Sequence, residues 1–440
     1  MKKWVLLLIS SACYIWLGYF TKREEFEQLF SIFSLLFLIY YLIIKQNHRG
    51  SQLKWWGRAG LLFRLSLVIM TPNLSDDCYR FIWDGRLLAQ GYNPYLTLPS
   101  DHPQFSEDIF SLLNSPNYYT VYPPFNQLLF AVGAILFPQN ILGHLIILRL
   151  EIILAEIGNA WLIKQLLKIH NLPAQNALLY ILNPLVIIEL TGNIHYEAVT
   201  IFFLLFSLFL YKQYQNIQFK GIFWSAISLG ISVSVKLVPL VLLPLIIKSV
   251  TLRKGIIYST IVAVIVVILF LPFLTAELIN HFMSSLDLYF HKFEFNASIY
   301  YIVRWLGYQM YGYNIIGVAG SWLSLITVGV ILWIAIKTKY SLFQVALLTL
   351  TIYFGMATTV HSWYITTLVM VSTFLSYRYA ILWSYVVMLS YHLYHQIPYQ
   401  ENTIYLLIEY MLVASVFVYE VKFKKKKYID KQASIKEVSP

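Results

Sequence analysis

Charge is the scarcest ingredient of this sequence. Only 12% of its 440 residues are Asp, Glu, Lys or Arg, against about 25% in a soluble domain. Too little polar surface remains to face water, which excludes a soluble globular protein. Cysteine is nearly missing as well: Cys13 falls in an apolar run and Cys78 in a polar one, so a structural disulfide framework is excluded. Internal repeats, Gly/Ser linkers and segments of soluble-domain composition are also lacking. The N-terminal "MKKWVLLLISSACYIWLGYF" has no clean small-residue cleavage site and runs at once into another apolar stretch. That pattern fits a retained first helix better than a signal peptide.

What the sequence has in abundance is apolar residues, 59% of the chain. The expected fold is all-α, a polytopic transmembrane helix bundle of about 11–14 membrane helices, some of them short, because runs of roughly 17–25 residues recur throughout. Residues 1–440 are expected to form a single integral-membrane domain in a lipid bilayer. The net charge of +11 does not mark a nucleic-acid binder. The basic residues sit in clusters between apolar runs and in the tail "KFKKKK" (Lys422 to Lys427), as cytoplasmic loops do under the positive-inside rule.

Threading the chain by that rule gives helices near 4–20, 29–44 and 55–72, with Lys45, Arg49, Lys54 and Arg58 inside. Residues 72–123 then form a long outer loop with six acids and only two basic residues, and long ordered loops usually carry function. The stretch 124–137 is expected to lie in the interface, because a crossing there would put Lys164 and Lys168 outside. Helix 142–168 returns inside, 176–190 goes out to "TGNIHYE" (Thr191 to Glu197), and 198–211 comes back. Two short helices follow with Lys236 at their outer apex, then helix 255–273 and a second outer segment, 274–313. Spans near 314–336, 341–357, 362–376, 379–394 and 403–421 lead to a cytoplasmic basic tail, 422–440. The chemistry-bearing groups thus collect on one face.

"LSDDCYRFIWDGR" (Leu74 to Arg86) interleaves acids with aromatics and arginines. Asp76 or Asp77 could take a proton from a hydroxyl. Adjacent acids can raise one another's pKa, and Tyr79, Phe81 and Trp83 offer flat faces for a sugar. The alternative is an ordinary acidic loop, but ionisable clusters at membrane boundaries tend to be functional. In "GYNPY" and "VYPPF" the prolines are punctuation, while Asn93 and Tyr122 are candidates to face a ligand. "NPLVIIELTGNIHYEA" gathers Glu189, Asn193, His195 and Glu197 at one helix end. Their spacing favours a polyol pocket over a metal set, with plain surface exposure as the alternative. Lys236 is either an anchor for a lipid phosphate or a snorkelling side chain. Arg304 and His361 invite the same anchoring role. Arg64, Arg149, Glu151 and Glu156 lie at membrane depth away from the outer mouth, where buried ion pairs are the better reading.

These residues resemble the GT-C superfamily of multi-spanning glycosyltransferases, and most nearly its polyprenyl-phosphate-mannose-dependent mannosyltransferases. "DDCYRFIWDGRLLAQGYNPY" and "YTVYPPF" follow the order of that family's acidic loop. "NPL…E…GN.H" and "VK..PL..LP" stand in matching places, so that the resemblance covers roughly 55–365. Cys78 occupies the second acid position of the family's D-x-D motif, which weakens a motif-held metal. The metal set is therefore taken as none, with a divalent cation left open. Two N-terminal spans look additional. The resemblance implies transfer of a sugar, mannose first, from a polyprenyl-phosphate-linked donor to a glycan or glycolipid acceptor, with inversion. Asp76 or Asp77 would be the base. Arg80, Arg86, Lys236, Arg304 and His361 would hold the donor phosphate, and Trp83, Asp84, Asn93, Tyr122, Asn193, His195 and Glu197 the sugar or acceptor. A lipid-linked sugar flippase is the main rival. The Lys/Ile/Tyr-rich composition suggests a bacterial inner membrane. Asn296-Ala297-Ser298 is a glycosylation sequon.

Overall fold

A computed structural model of the chain describes residues 2–214, 218–337 and 340–424, apart from the side chains of 2, 218, 289–291, 423 and 424. Most of the expected basic tail, 425–440, lies outside the described residues. Among those residues the chain is helical without a strand. Five helices are long and apolar enough to cross a membrane: Lys3–Phe20, Phe26–Ile44, Leu252–Phe273, Ile316–Lys337 and Thr403–Lys422. The protein is a multi-pass helical membrane bundle.

The chain begins with α1 (Lys2–Phe20), α2 (Phe26–Ile44) and α3 (Gly50–Leu65). In α2, Phe26, Leu29, Phe33, Leu36 and Tyr40 are buried, a stripe at three- and four-residue spacing that fixes which side faces the bundle. The expected third span, 55–72, ends early. Beyond Leu65 the turns tighten, with Leu67 N–H on Arg64 O and Val68 N–H on Leu65 O. The Val68 carbonyl instead accepts from Arg149 Nη1 at 2.6 Å.

The segment expected as an exposed outer loop contains α4 (Asp77–Ala89), followed by the single turn α5 (Glu107–Phe110). Here the structure departs from expectation: Cys78 and Arg80 to Leu87 are buried. Burial is tolerable because Arg80 and Asp84, four residues apart on one face, pair at 2.8 Å. α4 packs chiefly on α6 (Pro124–Leu136). Phe81 stacks on Phe130 at 4.6 Å, and a Cβ on Gly85 would stand 2.3 Å from Phe130 O, so only glycine permits this approach.

The 29-residue α7 (Ile141–Ile169) is capped by Asn140, whose side chain accepts from Gly143 N–H. After α8 (Leu178–Ile181) the expected helix 176–190 breaks at Asn183-Pro184 and resumes as a π-helical turn, Val186–Gly192, bent by 55°. Proline supplies no N–H for the previous turn. α9 (Glu197–Gln213) and α10 (Gln218–Val235) form a close antiparallel pair, and the chain breaks again at Lys236 before α11 (Leu243–Ser249) and α12 (Leu252–Phe270).

Within 274–313 lie two helices, α13 (Ala276–His291) and α14 (Ile299–Tyr311). α15 (Ile316–Lys337), α16 (Leu342–Met356), α17 (Ile365–Ser372), α18 (Tyr379–Val386) and α19 (Thr403–Tyr419) follow. A β-bridge joins Phe295 to Thr359, with Val360 N–H on Phe295 O at 2.8 Å. The sequon does not offer an accessible asparagine: Asn296 is fully buried, its amide donating to Glu409 at 3.2 Å.

Candidate functional site

The break at Lys236, the N-terminus of α4, the strip 114–123 and the bridged segments 293–295 and 357–364 enclose a cavity of about 480 Å³. Two carboxylates line it, Asp77 and Glu294, along with the cations Arg80 and Lys236. Much of the rest is aromatic, including Tyr118, Tyr119, Tyr122, Phe293, Phe295, Trp363 and Tyr364.

Asp77 opens α4, where the helix dipole favours a negative charge. Its Oδ1 accepts from Asn114 Nδ2 at 2.7 Å, and its Oδ2 lies 3.8 Å from His195 Nε2. His195 Nδ1 meets Glu189 O at 2.8 Å. A carbonyl only accepts, so Nδ1 carries the hydrogen and Nε2 is the nitrogen turned towards Asp77. Behind His195, the buried Glu189 accepts from Asn193 Nδ2 at 2.9 Å, Ser362 Oγ at 2.7 Å and Tyr391 OH at 2.8 Å. The segments around residues 193, 362 and 391 therefore converge on the glutamate behind the histidine.

Rings extend that support along the cavity wall. Trp363 stacks on His195 at 3.7 Å and on His361 at 4.3 Å, and His361 faces Phe295 at 4.9 Å. Burial among these rings pulls the His361 pKa down to about 4, so the ring is neutral near pH 7.

Lys236 donates to Glu197 Oε1 at 2.5 Å and lies 5.8 Å from the Tyr364 ring. An ammonium has three hydrogens, so this ion pair leaves donors for a second anion. Arg80 spends Nε on Asp84 and Nη1 on Ser115 O and Tyr118 O, while its buried Nη2 has no partner among the described residues.

Of the residues expected at the site, Asp77, Arg80, Tyr122, Lys236 and His361 line this cavity. His195, Asn193, Glu197 and Asp84 stand directly behind them, held in the pairs above, with Asp84 also accepting from Gln127 Nε2 at 3.1 Å. The others are not brought to it. Asp76 turns to Arg23, 2.5 Å away. Trp83 is buried against Phe105 and Phe110. Arg86 bonds Ser106 and both oxygens of Asp108, and this guanidinium holds the Asp108 carboxyl below its ordinary range. Asn93 donates to Phe273 O at 3.0 Å. Arg304 pairs with Glu294 outside the lining itself.

Sequence reasoning missed Trp363, Asn114, Tyr118 and Phe295. "VHSW" and the doublet "NYY" carried the available signal, aromatic side chains beside polar ones in short breaks between apolar runs. Among the described residues, no three His, Cys, Asp or Glu side chains group as metal ligands would.

Residues 9–251 match the family described as alpha-(1->6)-mannopyranosyltransferase, N-terminal domain. The match spans more than half of the chain and includes the GT-C-like motifs. The chain belongs to this family. It is a glycosyltransferase of mannosyltransferase type, which implies a sugar donor and a glycan acceptor in general. No curated protein and no solved structure matches it. Asp77, Arg80, Tyr122 and Lys236 fall within the matched segment of this mannosyltransferase, and the bridged wall 293–295 and 357–364 falls beyond it.

Proposed function

We propose that this mannosyltransferase moves a mannosyl group from a polyprenyl-phosphate donor to a hydroxyl of a glycan or glycolipid, with Asp77 as general base. The observation that carries the reading is that Asp77 lines the cavity with Lys236 and Arg80, whereas Asp76 is bound to Arg23. The acceptor oxygen attacks the anomeric carbon while Asp77 takes its proton. The bond from that carbon to the phosphate oxygen breaks, and its electron pair leaves with the polyprenyl phosphate. Lys236 and the unpaired Arg80 Nη2 stabilise the charge that grows there. Asn114, which donates to Asp77 Oδ1, orients the base, and the aromatic wall seats the sugars. Displacement in one step inverts the anomeric centre, so an α-linked product requires a β-linked donor.

The cavity is proposed to open to the outer face of a bacterial inner membrane, with both termini cytoplasmic. Lys54, Lys164, Lys212 and Lys220 support this orientation, because each lies in the half of its helix remote from the cavity.

The test is transfer from radiolabelled polyprenyl-phosphate mannose in membranes holding equal amounts of wild type, Asp76→Asn and Asp77→Asn. Asp77→Asn is expected to lower the rate by about 10²- to 10⁴-fold, and Asp76→Asn by less than about tenfold. The reverse order would move the base to Asp76. Wild type without transfer from mannose, glucose or arabinose donors would favour the flippase.

A further inference from the structure

A second hollow lies at the other end of the molecule. It is a groove of about 360 Å³ between α3 and α7, closed by the residues of α8. Lys164 stands about 22 Å along α7 from Arg149, at 1.5 Å per residue. Arg149 is the residue that holds Thr191 O and Gly192 O behind the cavity. The groove is thus separate from the transfer site.

Its floor is a closed ion pair. Arg64 Nη2 meets Glu156 Oε2 at 2.6 Å, and Glu156 Oε1 accepts from Tyr180 OH and Asn159 Nδ2. That carboxylate has no charge to spare. Above it stand Lys54, Arg58 and Lys164, and among the described residues none of the three has an acidic partner. Lys164 is half-buried, its Nζ only 3.5 Å from where a Cβ would sit on Gly57. The ammonium therefore lies across α3 at a residue with no side chain. A cation held partly out of water without an anion is costly. Ile157 and Trp161 flank the groove and are about half exposed, so its open side faces acyl chains while its cations reach the headgroup level.

We propose that this groove binds the phosphate headgroup of an anionic phospholipid, with Lys54, Arg58 and Lys164 on the phosphate and an acyl chain along Ile157 and Trp161. Basic pockets between membrane helices suit such headgroups. Gly57 leaves room for the Lys164 ammonium to lie close against α3.

The experiment is thermal unfolding of the full-length protein in neutral detergent with added phosphatidylglycerol, phosphatidylcholine or inorganic phosphate. Phosphatidylglycerol is expected to raise the midpoint and phosphatidylcholine to leave it unchanged. In the Lys54→Gln/Arg58→Gln/Lys164→Gln variant the apparent affinity should fall on the order of 100-fold, about fivefold for each cation. Retained sugar transfer will show that this variant is folded. A control removes Lys212, Lys220 and Arg253, basic residues from the same end, as glutamines, and should keep the shift. An undiminished shift in the groove variant, or equal loss in the control, overturns the proposal. An equal shift with inorganic phosphate overturns the lipid and makes a soluble phosphate the occupant.

Discussion

Lys236 and Glu197 neutralise each other at 2.5 Å, and Glu197 is buried. Replacing Lys236 alone therefore mixes two effects. Lys236→Met strands a buried carboxylate and is expected to cost about 3–5 kcal/mol of stability, besides losing transfer. The pair Lys236→Met/Glu197→Gln should recover most of the thermal midpoint and still transfer mannose at least roughly tenfold more slowly than wild type, because the donor phosphate keeps no ammonium. Recovery of the rate together with the midpoint would reduce Lys236 to a structural role. At this scale the sequence revealed which residue types were present but not how they pair. Asp77 and Lys236 stood out because ionisable groups are rare here. Arg86 stood out for the same reason and Trp83 as a flat face for a sugar, yet Asp108 and two phenylalanines consume them. Partners more than twenty residues away leave no local pattern.

The helices that cross the bundle follow from run length and spacing, and the apex at Lys236 from the positive-inside pattern, whereas the break at Pro184 lies inside what reads as one helix, 176–190. α4 did not follow, because its charges imitate a solvated loop. Its burial depends on the Arg80–Asp84 pair and on the fit of Gly85 against Phe130. Gly85→Ala should force α4 and α6 apart, because the added carbon meets backbone and not a movable side chain. A loss of about 1–3 kcal/mol is expected, seen as a lower thermal midpoint, with transfer reduced because Asp77 moves with α4. An unchanged midpoint would show that the two helices slide freely. α13 and α14 escaped notice for a related reason: mixed polar and apolar residues lie along helices too short to look like spans.

For the molecule as a whole, two titrations outside the spans contribute to the response to acid. The unfolded His361 takes up a proton below about pH 6.5, while the folded ring, desolvated among Phe295 and Trp363, resists until about pH 4. The unfolded state binds more protons in that window, so its share of stability is present above about pH 6.5 and lost as pH falls towards 4. Asp108, lowered by Arg86, adds stability above the ordinary carboxylate range that is lost on further acidification. Thermal midpoints between pH 7.5 and 5 should decline in wild type and decline less in His361→Gln. Equal slopes would mean that His361 protonates freely in the fold. The overall helical bundle was plain from composition, but the closing wall of the cavity was not, since Phe295 reaches Thr359 through a backbone bridge across sixty residues of chain. The proposed base and phosphate anchor lie within the family segment, while the bridged strip that helps to shape the chamber lies beyond it. A change that breaks the Phe295–Thr359 bridge would therefore reshape the chamber without touching the side-chain bonds of Asp77 or Lys236, which run to Asn114 and Glu197.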